Sequence, residues 1–121
     1  MLYSGVELGT SACKLLLVDE TGKVCNQVSR EYPLSMPHTG WSAQDPSSWW
    51  QACLDGIPAL LEGFDPAQVQ GIGMGGQMHG LVALDAADKV LRPAILWNDG
   101  RTARQTDYLN KEIGRETLSK Y

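Results

Sequence analysis

The chain has 121 residues, a hydrophobic content of 43% and a net charge of −4 at neutral pH. These totals suffice for one small domain with its own core and exclude an intrinsically disordered chain. The acidic balance argues against a nucleic-acid partner and an anionic membrane surface, and no apolar run approaches the roughly 20 residues that span a bilayer.

The first third of the chain is predicted to form three strands. Residues 2–8 have the pattern of a strand, and residues 12–18 follow as a second. The apolar run 15–18 predicts burial on both faces of that second strand. After a turn in which Gly22 is free to take a positive φ, residues 24–32 alternate loosely, as an antiparallel third strand would. We therefore expect an antiparallel three-strand meander.

A helix is predicted after the loop over residues 33–44. Asp45 can cap the free amides of the first turn, and Pro46 suits the first helical position. Gly63 suits the helix end, whereas Pro58 lacks a backbone donor and is expected to kink the helix. Apolar side chains at helical spacing predict one buried face. That face comprises Trp49, Trp50, Cys53, Ile57, Leu60, Leu61 and Phe64.

The second half is predicted to contain strands, a hairpin and a helix. Residues 69–73 form a short apolar strand, residues 80–91 resemble a hairpin, and residues 94–97 form a further strand. A helix over residues 102–113 follows, which Gly114 could close. This order predicts a mixed α/β fold built on an antiparallel start.

A short segment after the first strand suits phosphate binding. A tight turn at Gly9 would aim backbone amides outward, and Thr10 and Ser11 add hydroxyl groups. Glu7, at the end of the preceding strand, could hold Mg²⁺ through water. The alternative is a plain hairpin turn with a surface carboxylate, because no Walker motif follows.

A glycine-rich segment over residues 73–80 leaves Gln77 and His79 as polar groups that can face a cleft. It follows a short buried strand, which is a frequent position for ligand contacts in α/β sheets. The alternative is a flexible loop with a histidine in solvent.

Residues 97–101 combine an aromatic ring with polar groups. Trp97 could pack against the C–H face of a sugar, while Asn98, Asp99 and Arg101 offer hydrogen bonds to hydroxyls. The alternative is an Asx-turn that caps the next helix. The segment 40–46, by contrast, is interpreted as helix initiation beside an aromatic core.

Four segments together resemble the FGGY family of carbohydrate kinases. VELGTSACK resembles the opening motif of that family. GWSAQDPSSWWQA, GIGMGGQMHGLVALD and VLRPAILWNDGRT resemble segments of its members that act on xylulose, in the same order and spacing. The four motifs cover nearly the whole chain.

The resemblance implies a ribonuclease H-like, actin/Hsp70-like ATPase fold. It also implies transfer of the γ-phosphoryl group of ATP, with Mg²⁺, to the 5-hydroxyl of D-xylulose. The positions that match sugar-binding segments are Gln77, Met78, His79, Trp97, Asn98 and Asp99. The positions that match the first phosphate motif are Gly9, Thr10, Ser11 and Lys14, and Glu7 matches the carboxylate near the magnesium ion.

Two departures from the family pattern matter. The family more often has aspartate at the position of Glu7, which is one methylene longer, although water can bridge the difference. Family members are also several times longer, and their catalytic base and adenosine pocket lie in later segments. Residues 1–121 are therefore expected to be the N-terminal portion of the family's N-terminal domain. Without a C-terminal nucleotide-binding domain, we expect them to be inactive alone.

Three alternatives remain open at this point. A non-catalytic actin-like sugar-binding module could carry the same motifs, and so could an FGGY kinase acting on a related ketose or polyol. A ribonuclease H-like nuclease would need further acids converging on two metals and a basic face.

Location and assembly give two further expectations. No signal peptide is evident, and Cys13, Cys25 and Cys53 lack metal-binding spacing, so we expect free thiols in a cytoplasmic protein. A sheet edge left bare by missing strands would favour a homodimer.

Overall fold

The structure, a computed structural model, describes residues 1–121 in full. The strands are β1 (Leu2–Leu8), β2 (Ala12–Asp19), β3 (Val24–Glu31), β4 (Ala43–Gln44), β5 (Val69–Gly76) and β6 (Ala94–Ile95). The α-helices are α1 (Pro46–Leu60), α2 (Ala103–Tyr108) and α3 (Arg115–Leu118), and there are a 3₁₀ turn at Pro66–Gln68 and a π-helical turn at Leu109–Gly114. None of the helices combines the length and apolar content needed to cross a membrane.

The central sheet has the strand order β3-β2-β1-β5. β1 pairs antiparallel with β2, and β2 with β3, so the predicted meander is confirmed. The turn between β2 and β3 places Gly22 at φ 85°, and the Asp19 carboxylate accepts hydrogen bonds from the backbone of Thr21 and Lys23. β5 joins the other side of β1 in parallel, after a crossover through α1. The mixed α/β class expected from the sequence is confirmed.

The prediction that β2 is buried on both faces is wrong. Leu15 and Leu17 are buried under α1, whereas Leu16 on the opposite side is 37% exposed. The cause is that α1 covers only one face of the sheet. We call the other side the open face; it includes Leu16, Gly5, Gly73 and Gly75, and it forms a hollow of about 840 Å³.

Helix α1 begins as the sequence predicts. The Asp45 carboxylate accepts a hydrogen bond from the N–H of Ser47 at 2.9 Å, and Pro46 occupies the first turn. The helix continues through Pro58 and ends at Leu60. Its buried residues are Ala52, Cys53, Gly56 and Leu60.

The helix buries a narrower face than predicted. Trp50 is 66% exposed and Ile57 is 36% exposed, so both were wrongly assigned to the core. Small residues occupy the centre of the contact instead. A Cβ added at Gly56 would lie 2.6 Å from Cδ1 of Leu15, which shows how closely the helix approaches β2.

The second half is less regular than predicted. β5 extends to Gly76. The predicted hairpin forms, but it is short: one bridge joins Leu84 to Val90, and the N–H of Leu91 donates to the carbonyl of Ala83 at 3.0 Å. β6 has only two residues. It pairs with β4, which lies inside the segment predicted to be a loop. The predicted helix over residues 102–113 is divided into α2 and the π-helical turn, and Gly114, at φ 87°, precedes α3.

We expect Gly56→Val to lower the free energy of unfolding by about 1–3 kcal/mol, because the added methyl groups overpack the contact with Leu15. Urea denaturation of the purified chain measures this change. Leu54→Val, at a position 47% exposed on the same helix, is the control and should change stability by less than about 0.5 kcal/mol. Equal stability of the Gly56 variant and the wild type would contradict the packing argument.

Candidate ligand-binding site

A cleft of about 450 Å³ opens at one edge of the central sheet. Because β1 and β5 are parallel neighbours, their carboxyl ends meet at this edge, a common position for ligand sites in α/β sheets. The N–H of Gln77 donates to the carbonyl of Leu8 at 2.8 Å and extends the pairing beyond β5. The lining residues are Glu7, Gly9, Thr10, Gly76, Gln77, Met78, His79 and Trp97.

The turn after β1 presents unused backbone donors. The N–H of Gly9 donates to the carbonyl of Ala12 at 3.0 Å, and a Cβ at Gly9 would lie 3.1 Å from that oxygen. This close approach favours glycine. The N–H groups of Thr10 and Ser11 have no acceptor within the chain. Two adjacent free amides suit an anion such as a phosphate group.

The segment after β5 presents a second set of donors. His79 has φ 62°, in the left-handed region that few side chains adopt. The N–H groups of Met78 and His79 have no acceptor within the chain, and the Met78 side chain is 69% exposed. This segment can therefore offer backbone donors and an apolar side chain to one ligand.

Side-chain hydrogen bonds join the two segments across the cleft. The Thr10 hydroxyl donates to Oε1 of Gln77 at 3.4 Å and accepts from the indole N–H of Trp97 at 3.1 Å. Trp97 remains 58% exposed, so its ring is available to a ligand. Three segments that are distant in sequence thus form one site.

The sequence analysis missed two residues that support the turn. Gln44 is 1% exposed, and its Nε2 donates to the carbonyl of Thr10, although its segment had been interpreted as purely structural. The hydroxyl of Tyr32 donates to the carbonyl of Gly9, and burial raises the pKa of Tyr32 to about 12, which keeps that proton in place. No pattern marks either residue, since each contact depends on tertiary placement.

Asp99 does not line the cleft, and its carboxylate oxygens already accept hydrogen bonds from other groups of the chain. Its carboxylate accepts from Nε and NH2 of Arg101 at 2.9 and 2.7 Å and from the N–H of Ser42 at 2.6 Å. The Asp99 side chain is 1% exposed, and hydrogen bonding from Arg101 holds its pKa well below the usual range. Arg101 also stacks on Trp41, with 3.9 Å from Cζ to the ring centroid. The pair fastens the segment after β6 to the loop before β4.

The remaining predicted residues lie around the cleft rather than in it. Asn98 and Ser11 are exposed and do not line it. Lys14 is the register partner of Glu7 on β2, and both line the hollow of the open face. Glu7 is the one carboxylate that borders both spaces.

The cleft can supply one side-chain ligand to Mg²⁺, the carboxylate of Glu7. The chain contains no group of three or more histidine, cysteine, aspartate or glutamate side chains that could hold a metal ion. Mg²⁺ usually keeps several waters and takes one or two carboxylates together with substrate phosphates. Glu7 is compatible with that arrangement, because it lies beside the free amides of the turn.

We expect the stability difference between the wild type and Asp99→Asn to depend on pH. Because the folded-state pKa of Asp99 is below its unfolded value of about 3.9, its stabilising effect is complete at neutral pH. It is lost progressively as the pH falls below about 4. Urea denaturation between pH 7 and pH 2 measures the difference. Asp107→Asn, which breaks an exposed pair with Lys111, is the control and should show little effect at any pH. A constant difference for Asp99→Asn would contradict this account.

Comparison with known proteins identifies the relatives of the chain. Residues 2–121 match the N-terminal domain of the FGGY family of carbohydrate kinases. The chain is 44% identical over 112 residues to xylulose kinase of Escherichia coli (strain K12), covering 93% of this chain and 23% of that protein. It is 42% identical over 116 residues to xylulose kinase of Bacillus subtilis (strain 168), with 94% and 23% covered.

A solved structure agrees with these matches. The crystal structure of xylulose kinase from Rhodospirillum rubrum superimposes with a TM-score of 0.91 at 30% identity, covering 98% of this chain and 25% of that one. The chain thus spans about a quarter of the length of its relatives. The match over residues 2–121, together with the identity to these kinases, shows that the chain belongs to the FGGY family of carbohydrate kinases.

Proposed function

We propose that this chain is the N-terminal portion of a kinase that transfers the γ-phosphoryl group of ATP to the 5-hydroxyl of D-xylulose. The observation that carries the proposal is the cleft itself. It joins a turn with free amides to a segment with an exposed methionine and a histidine and, from a third segment, to the exposed ring of Trp97. The relatives named xylulose kinase support this choice of sugar.

The two sides of the cleft suit the two substrates. The amide of Thr10 would contact phosphate oxygens, while Met78, His79 and Trp97 would contact the sugar. Phosphoryl transfer demands little covalent chemistry from the protein, so positioning and charge stabilisation dominate. Mg²⁺ would supply positive charge beside the phosphates, with Glu7 contributing one ligand through water.

The isolated residues 1–121 would lack this activity. Glu7 is the one carboxylate that lines the cleft, and we assign it to the magnesium ion rather than to the proton of the attacking hydroxyl. The base, the adenosine pocket and the closing domain would come from the C-terminal part of the parent protein. A cleft this open cannot exclude water from the reacting groups.

The chemistry of the thiols supports a cytoplasmic location. Cys13, Cys25 and Cys53 are unpaired, although the sulfur atoms of Cys13 and Cys53 are 3.9 Å apart in the core. Burial, chiefly, raises the pKa of the Cys13 thiol to about 11. Two unpaired thiols this close are consistent with a reducing compartment. We propose no nucleic-acid or membrane partner.

We expect the complete protein to form ADP in a manner that depends on D-xylulose, and residues 1–121 alone to form none. Trp97→Ala in the complete protein should raise the KM for D-xylulose about tenfold, because an apolar face against the sugar is lost. Trp50→Ala is the matched control, since Trp50 is similarly exposed, at 66% against 58% for Trp97, but lies on α1. Sugar binding without any ADP formation would favour a non-catalytic binding module. Preference for another ketose or polyol would show that the chain belongs to an FGGY kinase with a different substrate.

We also expect residues 1–121 in isolation to self-associate. The outer edge of β5 is unpaired, and Ile72 and Met74 on this strand are 59% and 69% exposed. An unpaired edge with exposed apolar side chains favours edge-to-edge pairing. Light scattering at increasing concentration should show a dimer that Ile72→Lys abolishes and that Leu54→Lys, on α1, leaves unchanged. A monomer at high concentration would count against this expectation.

A further inference from the structure

Gln44 occupies the centre of the contacts that hold the cleft together. It lies in β4, immediately before the N-cap of α1, and is 1% exposed. Its Nε2 donates to the carbonyl of Thr10 in the turn after β1. Its Oε1 accepts from the indole N–H of Trp49 at 2.9 Å and from Nε2 of Gln77 at 3.2 Å. One side chain therefore contacts both walls of the cleft and the helix behind them.

These contacts fix the orientation of the Gln44 amide. Oε1 faces two N–H donors, so the amide cannot rotate by 180° without placing its own N–H groups against them. Burial makes each of these bonds costly to leave unmade. Trp49 anchors the amide from α1, and the amide in turn restrains Thr10 and Gln77.

The restrained atoms are adjacent to those assigned to the two substrates. Thr10 belongs to the turn whose free amides suit phosphate, and Gln77 directly precedes the segment assigned to the sugar. Gln44 has no place in the cleft lining, so it does not itself contact a ligand there. A shift of Gln44 would displace one wall relative to the other.

We propose that Gln44 is a positioning residue that sets the distance between the phosphate turn and the sugar segment. This inference rests on the proposed kinase function. Misplacing reacting groups by about 1 Å can reduce a rate about 100-fold, even when each group still binds. Loss of Gln44 should therefore affect transfer more than it affects binding.

The first test uses steady-state kinetics of the complete protein. Gln44→Met keeps the side-chain length but removes all three hydrogen bonds. We expect kcat to fall about 10- to 100-fold, with less than about a threefold change in either KM. The yield of sugar phosphate per ADP should also fall, because water competes with a misplaced hydroxyl. A purely structural role would lower the active fraction and leave that ratio unchanged, which would overturn the proposal.

Ser42→Ala is the matched control. Ser42 lies two residues away, just before β4, and is 4% exposed, but its hydroxyl has no hydrogen-bond partner in the chain. Removing this hydroxyl should leave kcat and the product ratio unchanged. A similar loss in both variants would show that general disturbance of this segment, not Gln44, causes the effect.

The second test does not depend on activity. The indole N–H resonances of Trp49 and Trp97, in a ¹⁵N–¹H spectrum of the complete protein, report two ends of the network. In Gln44→Met both should shift, because Trp49 loses its acceptor and Trp97 follows Thr10. Gln44→Glu keeps the acceptor for Trp49, and once a rise in pH ionises the new carboxyl group it can no longer donate to Thr10. In that ionised form the Trp97 resonance should shift most. If Gln44→Met fails to fold, Gln44→Glu decides the question.

The two tests separate the inference from the proposed function. An unmoved Trp97 resonance in the folded Gln44 variants would overturn the positioning role, whatever the activity. If the resonances shift in the Gln44 variants but the wild-type protein forms no sugar phosphate, the kinase proposal is overturned. The link from Gln44 to the turn would then stand.

Discussion

The parallel pairing of β1 with β5 is the contact on which the site depends. It brings the turn at Gly9 and the segment at Gln77 to the same edge, although about 68 residues separate them in the chain. A parallel pair requires a crossover connection, and α1 supplies it. The same helix buries Leu15 and Leu17, so the hydrophobic core and the cleft are both products of one topology.

Two kinds of polar contact hold the loops around the cleft. Neutral amides and hydroxyls join its walls, as in the contacts of Gln44 and Gln77, whereas an ion pair between Asp99 and Arg101 holds the outer segment. The neutral groups add no charge of their own beside the free amides of the turn. The ion pair is farther out, where the stacked ring of Trp41 completes its surroundings. This division leaves Glu7 as the one carboxylate in the cleft lining.

Local signals predicted much of the fold and the position of the site. Strand periodicity, the Asp45 cap and the turn at Gly22 each depend on neighbours in sequence, and each was predicted. The exposure of Leu16, the pairing of β4 with β6 and the burial of Gln44 depend on distant segments, so no local pattern reveals them. The resemblance to the FGGY family named most of the residues that line the cleft. Their roles at a ligand remain predictions, as do those of Asn98, Asp99 and Lys14.

The hydrogen bond between Trp97 and Thr10 has a consequence for the order of folding. It joins residues 87 positions apart, whereas the β1–β2 and β2–β3 ladders join near neighbours. Contacts at large sequence separation close the longest loops, which costs the most chain entropy, so they form last. On the ribosome the meander can therefore form while most of the chain is still unsynthesised, and the cleft is assembled only after Trp97 has emerged.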